Sequence, residues 1–139
     1  MWIKNKNNIN TPYEVLHKEN DFKYINERTI LLNEVVGTTS EGTNTLKKIF
    51  NDKIFSYPKP PSLITYLINL ISNKNALVLD FFAGSGTTGQ AVMELNQEDG
   101  GNRRFILVTN NENDIARKIC YERLYRVING IGSNGESFD

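Results

Sequence analysis

Residues 78–89 read VLDFFAGSGTTG: an apolar run that ends in an acid and then breaks into a bend of small residues. The run extends back to ALVLDFF (76–82), and its unbroken apolar character predicts a strand buried on both faces of a parallel sheet. After the bend, TTGQAVMELNQ (87–97) predicts a helix that starts near Thr87 or Thr88 and is stopped by Gly100 and Gly101. RRFILVTNN (103–111) predicts the next strand. NDIARKICYERLYRVIN (113–129) predicts a helix with Ile115, Ile119, Leu124, Val127 and Ile128 facing inward.

Upstream of the run lies FSYPKPPSLITYLINLISN (55–73). The prolines at 58, 60 and 61 enforce an extended approach, after which Ser62 is placed to cap a helix with Leu63, Ile64, Leu67, Ile68 and Ile71 at three-to-four spacing. NKN (73–75) turns the chain. The order helix, strand, helix, strand, helix predicts a right-handed parallel unit of a three-layer α/β fold, with ligands held at the carboxyl ends of the strands. Earlier still, GTTSEGTNTLKKIFN (37–51) predicts a short helix capped by Ser40 or Thr43, with Leu46, Ile49 and Phe50 on one side, and RTILLNEVV (28–36) a strand or extended segment. Residues 1–36 are expected to be poorly ordered or extended, 37–130 to form the folded subdomain, and 131–139 to be a flexible tail by composition.

Gly84, Gly86 and Gly89 satisfy G-x-G-x-x-G between a strand and a helix. A plain strand-to-helix turn would use such glycines for geometry alone, but the context asks for a ligand. The first two glycines permit a tight turn, and the helix start presents unpaired N–H groups to an anion. A phosphate-cradling loop would need Lys followed by Ser or Thr after its last glycine, whereas Gly89 is followed by Gln90 and Ala91. A dinucleotide is compatible, because Glu112 lies about 20 residues on, near the distance expected for a ribose-binding acid. S-adenosylmethionine is the third candidate: its methionine end is a zwitterion, which suits Asp80 combined with backbone amides and the Thr87 and Thr88 hydroxyls.

The bulk properties set limits. A chain of 139 residues has room for one core. Sixteen basic and sixteen acidic side chains cancel, so no global field draws in a polyanion. The lone Cys120 excludes an internal disulfide framework and the usual zinc clusters, no stretch approaches the roughly 20 apolar residues of a membrane span, and MWIKNKNNIN (1–10) has no signal-peptide core. An intracellular, cytoplasmic protein is expected. His17 reads as a solvated surface residue and Cys120 as a small packing residue. Trp2 and Tyr13 read as cover for a core edge or as part of a join to another domain. Arg103, Arg104, Arg117, Lys118, Arg123 and Arg126, with Glu122 among them, read as a solvated face rather than a phosphate-binding patch.

DFFAGSGTTG (80–89) resembles motif I of the amino-methyltransferases that modify adenine N6 or cytosine N4 in DNA, and FSYPKPPSL (55–63) resembles the motif X that precedes motif I in their permuted beta group. GTTSEGTNTLKKIF (37–50) and RRFILVTNNEN (103–113) resemble the modification subunit of type III restriction-modification systems. The resemblance implies a Rossmann-like methyltransferase fold and S-adenosylmethionine as cofactor. By the same resemblance Asp80, Phe81, Phe82, Ala83, Gly84, Ser85 and Gly86 wrap its methionine and sulfonium part, and Thr87 and Thr88 bind its carboxylate. Lys59 and Pro60 close over that end, and Asn110, Asn111 or Glu112 serves the ribose where many relatives carry an acid, Asn110 being the residue assigned. Implied partners are DNA, reached through a longer or complemented enzyme, a restriction subunit, and a second copy of the chain.

Methyl transfer to an exocyclic amine also needs a D-P-P-Y type motif, whose acceptors hold the amino hydrogens while its ring stacks on the flipped base. The only Pro-Pro pair here lies in Lys59-Pro60-Pro61-Ser62, which lacks both acceptor and aromatic. The expectation is a cofactor-binding portion of a longer or split modification methyltransferase, with no catalytic residue of its own and inactive alone; in the permuted order the chain would start after the missing motif. Adenine N6 is the expected target, and cytosine N4 stays open because both amines use the same cofactor machinery. A dinucleotide-binding oxidoreductase domain and a non-catalytic interaction module are the alternatives.

Overall fold

A computed structural model describes the backbone of residues 2–4, 10–18, 21–26, 31–71 and 73–132, and side chains from residue 31 onward. The expected behaviour of the tail lies mostly outside the described residues, as do the readings of His17, Trp2 and Tyr13 as side chains.

Three antiparallel strands come first, in the order β1 (Trp2–Lys4), β2 (Asn10–Lys18) and β3 (Asp21–Asn26), with Trp2 opposite Pro12 and Tyr13 opposite Asn26. The extended segment expected over 28–36 is corrected in its described part: Asn33–Val36 form a short helix, α1, whose turn closes when Gly37 N–H donates to the Asn33 carbonyl. Val36 is buried there. The next helix, α2 (Thr39–Phe50), is capped two residues before Ser40, the nearer of the expected caps: Thr38 Oγ1 accepts from Glu41 N–H at 3.3 Å, while Thr43 donates to the Thr39 carbonyl. Leu46 and Ile49 are buried, and the Arg126 guanidinium lies 5.3 Å from the centre of the Phe50 ring.

Helix α3 (Pro61–Asn69) starts on a proline at its first position, where the missing N–H removes no bond. Ser62 does not cap it. Its hydroxyl bonds the Val36 carbonyl and Glu41 Oε1, each at 3.0 Å, and so ties α3 to the two helices before it. Asn73 Oδ1 accepts from Asn75 N–H in the turn that comes next.

Strand β4 (Leu77–Asp80) runs parallel to β5 (Arg104–Leu107), with Leu77 opposite Arg104 and Asp80 opposite Leu107, and α4 (Thr87–Asp99) makes the crossover. The α/β arrangement expected from the alternation is therefore present. Ile68 of α3 and Val92 and Leu95 of α4 form the buried cluster, with Ile64, Val78 and Phe105 packed against it. Burying such a side chain stabilises the fold by about 1.5–3 kcal/mol. Burial on both faces of the sheet does not hold: Val78 and Phe105 point to the helices, whereas Leu77, Leu79, Ile106 and Val108 are exposed. Side chains alternate along a strand, and α3 and α4 cover one side only.

The last helical stretch is a short 3-10 turn (Glu112–Asp114), a π-helical segment (Ile115–Tyr121) and α5 (Glu122–Ile128). The wider π turns shift the phase of the helix beyond them. Ile115, Ile119, Leu124 and Val127 are part-buried as expected, but Ile128 is exposed and Arg123 is fully buried.

The basic stretch consequently divides. Arg104, Arg117 and Lys118 are exposed. Arg103 is buried and forms a bidentate pair with Asp99 at 3.0 and 2.9 Å, and Arg126 donates to the Ile49 carbonyl. Among the described residues no helix is long and apolar enough to cross a membrane.

Candidate functional site

The parallel ladder does not stop at Asp80. Val108 N–H donates to the Asp80 carbonyl at 2.8 Å and Ala83 N–H to the Val108 carbonyl at 3.0 Å, so the first part of the bend is held against the end of β5. The chain then reverses through Gly84 at φ +51° and Gly86 at φ +80°, backbone that costs a residue with a side chain roughly 1–2 kcal/mol. Gly86 N–H closes the turn onto the Ala83 carbonyl at 2.7 Å. Gly86 also faces Cys120, whose sulfur lies 3.0 Å from where a Cβ would be. Cys120 is buried as expected of a packing residue, and burial pushes its thiol pKa up. Gly89 serves packing, since a Cβ there would sit 2.5 Å from Leu124 Cδ2 and 3.1 Å from Leu107 Cδ1.

Asp80 spans the bend. Oδ1 accepts from Phe82 N–H at 2.9 Å and Oδ2 from the Thr88 hydroxyl at 2.6 Å, which joins the end of β4 to the first turn of α4. Ala83, Ser85, Gly86, Thr87 and Thr88 are buried, whereas Phe81 and Phe82 are exposed, Phe82 at 93%. The Thr87 hydroxyl donates to the Lys59 carbonyl at 3.2 Å, so the proline-rich segment is fixed beside the helix start. Pro58 and Pro60 are buried and the Lys59 side chain is exposed. Asn110 is exposed two residues beyond Val108, and Glu112 is exposed in the 3-10 turn. Lys59, Pro60 and residues 80–88 thus meet at the carboxyl ends of the strands, with Asn110 following the end of β5. A separate cleft of about 650 Å³ on the flank, lined by Glu41, Lys48, Ser62 and Glu94 among others, does not include the bend.

One residue of this constellation is expected elsewhere by the sequence, on a solvated face, and the fold corrects that expectation. Arg123, at 0% exposure, reaches the underside of the bend: Nε donates to Gln90 Oε1 at 2.7 Å, and Nη1 to Ser85 Oγ at 3.0 Å, the Ser85 carbonyl at 3.3 Å and Thr87 Oγ1 at 2.9 Å. Nη2 has no hydrogen-bond partner among the described residues. Gln90 in turn donates to Glu94 at 2.7 Å. Burial, opposed by the nearby Glu94 charge, lowers the Arg123 pKa to about 10, so the group is cationic at neutral pH. The signal was available: position 123 stands four residues from both Ile119 and Val127, on the apolar stripe itself.

The chemistry open to the arrangement is set by its donors and acceptors. The first-turn amides of α4 have no intrahelical acceptor and form the positive end of a 13-residue helix, which favours an anion. Asp80 supplies negative charge next to them. A strand, a glycine bend and a helix start with an acid on one side and amides on the other make a site suited to a ligand that carries both a positive and a negative group.

Comparison with known proteins gives the class. A family model described as DNA methylase matches residues 2–124, and the chain belongs to that family. Within it, the likeness is to Mod subunits of type III systems: the StyLTI Mod subunit of Salmonella typhimurium is 44% identical over 111 residues, covering 71% of this chain and 17% of that protein. The EcoPI Mod subunit of Escherichia phage P1 is 46% identical over 91 residues, covering 66% and 14%. The type II methyltransferase M.KpnI of Klebsiella pneumoniae is 42% identical over 109 residues, covering 78% and 26%. The chain therefore spans 14% to 26% of the length of these three relatives.

Proposed function

We propose that the chain is the S-adenosylmethionine-binding portion of a site-specific adenine-N6 DNA methyltransferase of the type III restriction-modification kind. The observation that carries this reading is the joining of three segments at the strand ends: Asp80 bonded across the bend to Thr88, and Thr87 bonded to the Lys59 carbonyl. Asp80, Phe81, Phe82, Ala83, Gly84, Ser85 and Gly86 form the wall of the cofactor site. The amides of Thr87 and Thr88 receive the carboxylate, while their hydroxyls hold the frame. Lys59 and Pro60 border the same end, with the Lys59 ammonium free to reach the carboxylate, and Asn110 serves the ribose. When bound, the cofactor supplies an electrophilic methyl group on a sulfonium.

Catalysis needs groups beyond these 139 residues. The sequence has no D-P-P-Y motif to accept the amino hydrogens and stack the base, and the relatives it matches are several times longer. DNA, a restriction subunit and a second Mod chain are partners of the complete enzyme in this reading.

Isothermal titration with S-adenosylhomocysteine, alongside a tritiated methyl-transfer assay on duplex DNA, tests both parts. Binding is expected with Asp80→Ala weakening it at least tenfold, and methyl incorporation is expected at background. Stabilisation by NAD in preference to S-adenosylhomocysteine would overturn the cofactor assignment, and methylation by the chain alone would overturn its incompleteness.

A further inference from the structure

We infer that Arg123 is a positioning residue for the cofactor: it holds the 84–87 bend from beneath and supplies the buried positive charge to which the ligand's carboxylate is matched. The inference rests on the cofactor reading above and adds to it a residue outside the motifs.

Three observations carry it. The guanidinium is fully buried, and among the described residues no carboxylate lies within ion-pair distance of it. Glu94 acts on the guanidinium only from beyond Gln90, and this charge together with hydrogen bonds to neutral oxygens only partly offsets the cost of burying the cation. Apart from Nε, which donates to Gln90 in α4, its bonds go to the bend: Nη1 is shared between the Ser85 carbonyl, the Ser85 hydroxyl and the Thr87 hydroxyl. Fixing Ser85 and Thr87 fixes the residues on both sides of Gly86, where α4 begins. Finally, Nη2 is left without an acceptor, so the group has hydrogen-bonding capacity unused in the chain's own packing.

The geometry also divides the labour at the helix start. The Thr87 hydroxyl accepts from Arg123 and donates to the Lys59 carbonyl, so its own bonds are made within the chain, whereas the first-turn amides of α4 have no intrahelical acceptor. Behind them, one side chain away, sits the Arg123 charge. An anion at the amides would feel it through protein rather than through water, where its field is less screened.

A ligand series separates this role from simple support of the fold. Titration calorimetry is run with S-adenosylhomocysteine, which carries the amino-acid carboxylate, and with 5′-methylthioadenosine, which lacks it. Arg123→Met, similar in length but neutral, is expected to weaken S-adenosylhomocysteine at least tenfold and methylthioadenosine less than twofold, and Arg123→Lys to recover most of the loss. Equal weakening of both ligands, or no weakening of either, would overturn the inference while leaving the cofactor reading intact. If the methionine variant does not fold by circular dichroism, the lysine variant decides: retention of the parent's preference for the carboxylate ligand supports the inference, and loss of that preference defeats it. Failure of the parent chain to bind S-adenosylhomocysteine at all would overturn the cofactor reading, and this inference with it.

Discussion

The position of Lys59 is set by a methyl group that residue 42 lacks. Gly42 packs in α2 against the Pro58 carbonyl, and a Cβ there would also lie 2.9 Å from the carbonyl carbon and 3.0 Å from the carbonyl oxygen of Lys59. In a solvated helix, glycine to alanine would stabilise by about 1 kcal/mol. Here the obstacle is backbone, which cannot swing aside, and overpacking at about 1–3 kcal/mol wins. Gly42→Ala is therefore expected to lower the stability measured by urea unfolding and, by displacing the Lys59 backbone from Thr87, to weaken S-adenosylhomocysteine severalfold. Unchanged stability would mean that α2 and the proline-rich turn do not meet. The residues of the bend were legible in the sequence because a glycine pattern between an apolar run and a helix start is local. The need for Gly42 was not, because it is a contact between segments with no common period.

Helices and strands were read correctly where one rule governed them, and misread where two competed. The apolar spacing of residues 63–71, the run before Asp80 and the stop at Gly100 each act alone, and α3, β4 and α4 lie where they predict, save that α3 ends at Asn69 and leaves Ile71 exposed beyond it. Arg123 was misassigned to a solvated face because charge outweighed its place on the apolar stripe, and Ile128 because the π-helical segment rotates the register beyond Tyr121. Arg103, just before β5, departs from the solvated face for another reason, a partner at Asp99 that no apolar period announces. It closes an element-level clasp: its guanidinium pairs with Asp99 at the end of α4, its backbone pairs with Asn96 at 2.8 and 3.0 Å, and Lys74 from the preceding turn donates to the Asp99 carbonyl. The hydrogen bonds from Arg103, assisted by the Gly101 amide and the Arg103 and Lys74 charges, hold the Asp99 carboxyl at about 2, below its usual range. Because the folded pKa is the lower one, the clasp stabilises at pH values above the unfolded carboxylate's, roughly 4. That contribution fades as pH falls from about 4 towards 2. Thermal melts of the parent and Asp99→Asn should thus differ most near pH 7 and converge towards pH 2. A gap that persists at pH 2 would place the stabilisation elsewhere.

For the molecule as a whole, the parallel α/β plan followed from alternation alone, but the covering of the sheet did not. An apolar run such as ALVLDFF records that both sides of a strand avoid water without recording what lies against each. In the fold, α3 and α4 cover one side, and Leu77, Leu79, Ile106 and Val108 stand on the other, exposed, with Phe81 and Phe82 exposed beyond the end of β4. Contiguous apolar surface of this kind on a monomer marks a surface built for contact. Its exposure can be measured in two ways. An uncharged environment-sensitive dye such as Nile red should fluoresce with the parent chain, and Leu79→Lys combined with Ile106→Lys should reduce that signal at least twofold. Because Leu79 and Ile106 are each 49% exposed and neither belongs to the buried core cluster, the double variant should melt within a few degrees of the parent, as exposed substitutions usually change stability by no more than about 0.5 kcal/mol each. A fall of 10 °C or more would be the mark of lysines forced into a core, at roughly 4–8 °C per kcal/mol for a domain of 60–100 residues, and would show that this face is covered within the chain itself.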